Sequence, residues 1–300
     1  MGDLCCELEA FLWQPAHVRV NQGFHKGGLS MSIETNRVKT CFEILQGRKR
    51  KALIPYILAG DPPGKTVEVM HRLVDSGADI IELGFPFSDP VADGPVIAQA
   101  HERVASQGVT LYDVFTMVSE FRRMDNVTPI VLMGYLNPVE IMGYNRFVEL
   151  ASQAGVDGML MVDLPPEAAD AFLGMLHNCG MDMINLIAPT TSDERITKIC
   201  RVASGYLYYV SLKGVTGAAT LNTEEVEERV NHIRRFTNIP VCVGFGIRDG
   251  ESAAAIGRGA NGVIVGSVLV SELAQYGSEG QASIDRVASR IAEIRSAMDR

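Results

Sequence analysis

Three observations predict one α/β domain closed as a single (β/α)8 barrel, the TIM-barrel class, with an extra N-terminal helix. The first is an alternation of short apolar runs with helical periodicity, repeated eight times between residues 52 and 298 without a compositional break. The second is an internal echo: Gly77-Ala78-Asp79, Gly155-Val156-Asp157 and Gly259-Ala260-Asn261 each end a helical stretch and feed an apolar run. The glycine can take the left-handed conformation that closes a helix, and the acid or amide turns the chain into the next strand. The third is a missing motif. An open doubly wound sheet with a dinucleotide site expects G-x-G-x-x-G after its first strand, and Ala59-Gly60-Asp61-Pro62 is nothing like it. Eight units in about 250 residues fit a closed barrel better.

The elements follow in order. Residues 1–32 carry scattered glycines, Pro15 and a lone Phe11-Leu12-Trp13 cluster, and are expected to be a poorly ordered extension. Met31 stands just before the first regular pattern, and the acids Asp3, Glu7 and Glu9 argue against a secretory leader. The barrel domain is expected over 33–300. Val38, Cys41, Phe42 and Leu45 give the first helical face, closed by Gly47. Strands are then predicted at Ala52 to Leu58, Ile80 to Gly84, Ile130 to Met133, Gly158 to Val162, Met183 to Ile187, Tyr206 to Val210, Pro240 to Val243 and Gly262 to Val265. Between them run helices around Val67 to Val74, Val96 to Gln107, Leu111 to Met124, Pro138 to Gln153, Glu167 to Asn178, Ser192 to Val202, Glu224 to Phe236 and Gly250 to Arg258. A last helix covers Ile284 to Met298.

Composition narrows the function. The chain has 300 residues, 47% hydrophobic and 21% charged, and a net charge of −9 with no basic stripe, which argues against a nucleic-acid surface. Its densest basic run, Arg48 to Lys51, sits where it complements a helix C-terminus. Six scattered cysteines without C-x-x-C spacing and six dispersed histidines point to no metal site and no disulfide framework. A reducing, cytoplasmic setting fits. The apolar run Val263 to Val270 is broken by Gly266-Ser267 and is too short to span a bilayer.

Candidate chemistry gathers between Ile80 and Pro95. Glu82 interrupts an apolar strand, where an ionised carboxylate is costly without a partner or a task. Asp93 follows eleven residues later, on a loop stiffened by Pro86, Pro90 and Pro95. Both acids can face one pocket. The alternative is an ion-paired core glutamate and a helix-capping aspartate, and spacing alone leaves both open.

Barrel enzymes place their chemistry at the C-terminal strand ends. The last two such ends read Gly244-Phe245-Gly246 and Val265-Gly266-Ser267, whose bare amides can meet an anion, with a helix start after Ser267. Tight turns alone are the alternative. Ser211 to Thr220 is small and glycine-rich and reads either as a mobile lid, with Gly217 joining an anion cradle, or as an ordinary loop. Tyr208 either reaches the pocket or packs in the core, as its neighbours do.

The strings IELGFPFSDPVADGP, LIPYILAGDP, LMGYLNP, MVDLPPEAA, YYVSLKGVTGA, GFGIRD and VIVGS, in that family's order, resemble the α subunit of tryptophan synthase. The first is long and specific; GFGI and VGS occur in other phosphate-binding barrels. The likeness runs from Met31 to the C-terminus, and the first thirty residues match nothing in it. It implies a retro-aldol lyase that cleaves indole-3-glycerol phosphate to indole and glyceraldehyde 3-phosphate, late in L-tryptophan biosynthesis. Carried over by position, it implies Glu82 and Asp93 as catalytic acids, with Thr216 orienting the aspartate and Tyr208 beside the glutamate. Phosphate is expected at Gly217, Gly246, Gly266 and Ser267. The indole slot is expected to be lined by Tyr56, Leu132, Tyr135, Ile187 and Phe245. Leu212-Lys213 departs from the arginine and small residue of some members. No cofactor is implied on this chain; pyridoxal phosphate is expected on a partner β subunit in an α2β2 heterotetramer, with docking near Pro86 to Pro90 and Pro165-Pro166. Two other readings are an isomerase or ring-forming synthase on a phosphate-binding barrel and a non-catalytic regulatory subunit. The first lacks the Asp93 loop; the second predicts loss of Glu82 or Asp93.

Overall fold

The structure, a computed structural model, describes residues 36–211, 223–244 and 246–300. The expected N-terminal extension therefore lies outside the described residues, as do Thr216, Gly217 and Phe245. Eight parallel strands follow one another in sequence order and close β8 onto β1. They are β1 (Ala52–Leu58), β2 (Ile81–Gly84), β3 (Ile130–Gly134), β4 (Gly158–Met161), β5 (Asp182–Ile187), β6 (Leu207–Val210), β7 (Val241–Gly244) and β8 (Gly262–Val265). The helices are α1 (Arg37–Gly47), α2 (Thr66–Asp75), α3 (Pro95–Ala105), α4 (Leu111–Arg122), α5 (Leu136–Met142), α6 (Tyr144–Ala154), α7 (Asp170–Asn178), α8 (Asp193–Val202), α9 (Thr223–Ile233), α10 (Gly250–Gly259), α11 (Ser267–Leu273), α12 (Tyr276–Glu279) and α13 (Gln281–Met298). The predicted barrel and its extra helix are both present.

Several helix boundaries differ from expectation; α9, for instance, ends at Ile233 rather than Phe236. The helix expected from Pro138 to Gln153 is two, α5 and α6, broken where Gly143 takes φ +86°. Pro165 and Pro166 hold the chain extended and then in a short 3-10 turn, Pro166–Ala168, so α7 starts at Asp170 rather than Glu167. The final helix begins at Gln281, three residues earlier than its apolar pattern indicates.

Strand alternation sorts the core into two layers. Odd and even positions point to opposite faces. Ala52, Ile54, Val131, Leu160, Ile184, Cys242 and Ile264 pack inside the barrel, together with Tyr206. Leu53, Ile57, Ile81, Leu83, Ile130 and Leu132 belong to the outer cluster that meets the helices. Helix α1 joins the inner cluster through Val38 and Leu45, with Phe42 tilted against Tyr206 at 5.8 Å between ring centroids.

The sequence echo has a structural cause beyond the turn itself. Asp79 accepts the Leu53 amide at 2.8 Å, Asp157 the Ile130 amide at 2.8 Å and Asn261 the Val241 amide at 3.0 Å. Each side chain thus ties the entry of its own strand to the start of the preceding strand. Each is also held by an arginine: Arg295 at 3.1 Å, Arg122 at 2.7 Å and Arg234 at 2.9 Å respectively. Gly77 and Gly155 take the left-handed conformation, at φ +104° and +91°. Gly259 does not; a side chain there would press on Glu227, so close packing explains the third glycine. Because Asp157 and Arg122 are both nearly buried, Asp157→Ala strands a buried cation and costs about 3–5 kcal/mol. Urea unfolding monitored by circular dichroism checks this; a loss below ~1 kcal/mol would mean that the pair is solvated as a surface bridge is.

Candidate active site at the carboxyl ends of the strands

Glu82 points into the barrel because its neighbours Ile81 and Leu83 face the helices. It pairs in register with Tyr56 on β1 and Val131 on β3 and is fully buried. The Tyr206 hydroxyl donates to its Oε1 at 2.6 Å. Its Oε2 is buried without a hydrogen-bond partner among the described residues. Burial raises the Glu82 pKa from 4.5 to about 8, with the Tyr206 bond opposing. The ion-paired reading of this glutamate fails, since the group it meets is a neutral phenol.

The raised pKa has a consequence for stability. Between pH 4.5 and about pH 8 the folded protein keeps a proton that the unfolded chain has lost. Stability therefore falls as pH rises across that window, and the loss is complete above the folded pKa. Glu82→Gln carries no such charge, so its Tm relative to the parent should improve steadily from pH 5 to about pH 8 and level off above it. A Tm difference independent of pH would show that Glu82 titrates normally.

Asp93 stands on the loop between β2 and α3. It accepts the Tyr135 hydroxyl on Oδ2 at 2.8 Å, and that hydroxyl in turn accepts the Ala92 amide at 3.0 Å. Tyr135 stacks on Phe87 with centroids 5.0 Å apart, so the loop is held through both the face and the hydroxyl of the ring. Asp93 does not cap α3: Gly94 holds the N-cap position, with no side-chain cap, and Pro95 starts the helix. Burial lifts its carboxyl above the ordinary value, and the Tyr135 bond pulls the other way. The carboxyl of Asp163, past the end of β4, accepts the Leu136 amide at 2.8 Å and so fixes the turn that carries Tyr135.

Tyr56 and Tyr208 complete the cluster. Both are held neutral, first by burial and then by the charges of Glu82 and Asp93. Glycines make room for their rings. A Cβ at Gly84 would come within 2.3 Å of the Tyr56 hydroxyl, and one at Gly244 within 2.2 Å of the Tyr208 hydroxyl. Tyr56 also reaches toward Gly266, where a Cβ would sit 3.5 Å from that of Tyr56. A single tyrosine therefore spans from Gly266 at the end of β8 to Gly84 at the end of β2. Gly266 is the N-cap of α11 and Ser267 its first residue, exposed, while Gly246 has φ +77°.

Two expected lining residues are misplaced. Leu132 and Ile187 are fully buried in the outer, helix-facing cluster. On the same strands the inner, partly exposed positions are Met133 and Leu186. A one-residue slip in reading a strand exchanges its faces. Tyr206, expected in the core, is the tyrosine bonded to Glu82; Tyr208 shares its face two residues on. His101 had no signal beyond lying on the apolar face of α3, with Ile97, Ala100 and Val104. Among the described residues no cluster of histidine, cysteine, aspartate or glutamate could hold a metal ion, and no helix is long and apolar enough to cross a membrane.

A closed parallel barrel with a buried, proton-holding carboxyl inside one strand and a second acid on the loop that follows defines a barrel enzyme built for proton transfer. The chain matches the family described as "Tryptophan synthase alpha chain" over residues 42–299. It is 54% identical over 265 residues to the protein of that name from Methylococcus capsulatus, covering 88% of this chain and 99% of the relative. It is 53% identical to that of Marinobacter nauticus, covering 88% and 98%. A crystal structure of the subunit from Legionella pneumophila superposes with a TM-score of 0.83 at 43% identity, covering 88% of this chain and 99% of that one. A structure of the tryptophan synthase a2b2 complex from Pyrococcus furiosus gives 0.76 at 38% identity, covering 82% and 99%. The chain belongs to the tryptophan synthase alpha chain family, and it is a lyase of amino-acid biosynthesis.

Proposed function

We propose that Glu82 and Asp93 carry out the alpha reaction, the retro-aldol cleavage of indole-3-glycerol phosphate to indole and glyceraldehyde 3-phosphate. The observation that carries this reading is the buried Glu82 carboxyl, with a pKa raised to about 8 and an Oε2 that has no hydrogen-bond partner among the described residues. Indole is a poor carbanion leaving group, so ring carbon C3 must be protonated before its bond to the side chain breaks. At neutral pH Glu82 is charged with that proton. Tyr206 occupies Oε1, which leaves Oε2 to deliver it. As C3 gains the proton, Asp93 takes the N1 proton and an indolenine forms. The Glu82 carboxylate then removes the side-chain hydroxyl proton. The C3–C1′ bond breaks, its electrons return through the ring to N1, and N1 recovers its proton from Asp93. Each acid ends as it began, and the reaction needs neither oxidant nor metal.

The phosphate reading places the substrate's other end at Gly246, Gly266 and Ser267, with Gly217 outside the described residues. It is supported by the unladdered amides at the start of α11 and by the span of Tyr56 from Gly266 to Gly84, two residues past Glu82. Gly266 has φ −123° and only ordinary contacts for a Cβ, so a side chain there is compatible with the fold. Gly266→Val should accordingly raise KM about tenfold or more, the value of one lost charge-assisted bond. The Tm should hold. An unchanged KM places the phosphate elsewhere. Gly246 is a poorer test because its left-handed backbone strains any side chain.

The partner reading is a β subunit carrying pyridoxal phosphate, in an α2β2 assembly. Support comes from the Pyrococcus furiosus relative and from exposed apolar groups beside the site, Val91 at 90% and Ile141 at 80%. Indole release from indole-3-glycerol phosphate, measured with and without a β subunit, tests both readings. No release in either condition would refute the catalytic assignment, and equal release would refute coupling to the partner.

A further inference from the structure

His101 is buried to 2% exposure on α3, one face of a ring whose two nitrogens have different neighbours. The Phe87 amide donates to Nδ1 at 3.1 Å. An acceptor nitrogen carries no proton, so the neutral ring bears its hydrogen on Nε2. That nitrogen faces Oδ2 of Asp93 at 3.6 Å. We propose that His101 is a positioning residue for Asp93: locked by the Phe87 amide, it presents Nε2–H to Oδ2 and, with Tyr135, turns Oδ1 toward the reacting ring nitrogen. This rests on the reading of Asp93 as the group that takes the indole proton.

The distance is longer than a hydrogen bond, and catalytic bonds of this kind tighten when substrate is held. A shift of the loop by less than ~1 Å brings the pair to bonding range. Both described contacts of Asp93, Tyr135 and His101, fall on Oδ2, which leaves Oδ1 for substrate. Burial lowers the His101 pKa to about 4, so the ring donates as a neutral group. It steers the aspartate without neutralising it. Among the described residues, Asp163 acts on Tyr135 from past the end of β4. Arg103, two residues along α3, pairs with Asp61 at 2.6 Å. Glu102 is exposed. Tyr56, Tyr208 and Tyr135 are phenols held neutral, and Glu82 stands behind them. The same Phe87 bond anchors the loop to α3, so the ring has two duties that substitution can separate.

In His101→Asn the amide oxygen can replace Nδ1 and keep the loop anchored, but nothing reaches Asp93. In His101→Gln the amide nitrogen can replace Nε2, and the anchor is lost. The expected result is a fall of about 10- to 100-fold in kcat for His101→Asn, the value of a hydrogen bond to a charged group. KM changes little, and the acid limb of the kcat/KM profile moves to higher pH because Asp93 loses a donor to its charged form. His101→Gln recovers most of the loss. In an Asp93→Asn background, adding His101→Asn lowers kcat no further. Loss of activity that persists in that background, or an acid limb that stays in place, overturns the proposal. So does His101→Gln falling as far as His101→Asn; if His101→Asn does not fold, this last comparison with the parent decides. Failure of the underlying reading looks different: Asp93→Asn alone would then turn over at the parental rate.

Discussion

Glu82→Gln lowers kcat for cleavage of indole-3-glycerol phosphate by about 10²–10⁴-fold, the usual worth of a positioned proton donor, with KM nearly unchanged. The amide keeps the size of the side chain and can still accept the Tyr206 hydroxyl. It cannot give a proton to C3 or receive one from the hydroxyl. Equal losses in kcat and kcat/KM mark an interaction made only in the transition state. The phosphate contacts and tyrosine walls remain, so binding of substrate by calorimetry should match the parent. Near-parental turnover would reduce Glu82 to a structural acid and leave its buried free oxygen unexplained.

Asp93→Asn falls in the same range, about 10²–10⁴-fold in kcat, because the indole N1 proton then has no acceptor. Here the pattern of variants separates charge from placement. Asp93→Glu keeps the anion on a longer stem, where it cannot hold the 2.8 Å bond from Tyr135 in the same position. Its rate should lie between those of the parent and the amide. If Asp93→Glu were no better than Asp93→Asn, geometry would dominate; if Asp93→Asn were active, the anion would have no role. Single-turnover cleavage beside substrate binding on the three proteins distinguishes these outcomes.

The barrel was legible because its signals are local. Apolar runs of strand length, helix-ending glycines and the repeated acid or amide at Asp79, Asp157 and Asn261 recur at each turn of the architecture. Glu82 was legible for a related reason: a carboxylate between Ile81 and Leu83 contradicts its surroundings and so demands a purpose. Asp93 stood out through the prolines around it. What escaped depended on relations across the barrel. Strand tilt and stagger decide which inward side chain meets which, and Tyr206 and Tyr208 share a face, so alternation could not tell which one reaches Glu82. Leu132 and Ile187, expected in the slot only through the resemblance, each lie one residue from the inward-facing position of their strand. Met133 and Leu186 carry the inward face instead. His101 lies on the apolar face of α3 and carries no spacing signal of its own. Its importance lies in the Phe87 amide and the Asp93 carboxyl, fourteen and eight residues away, which only the folded loop brings to it.

The central claim is that Glu82 holds its proton at neutral pH because it is buried. Infrared difference spectroscopy of the folded protein, parent minus Glu82→Gln, reports that proton directly through the carbonyl stretch of a neutral carboxyl group. The expected result is a protonated-acid band at pH 7 that fades with a midpoint near pH 8 and is absent from Glu82→Gln. A band already lost by pH 6, as for a glutamate in water, would contradict the account.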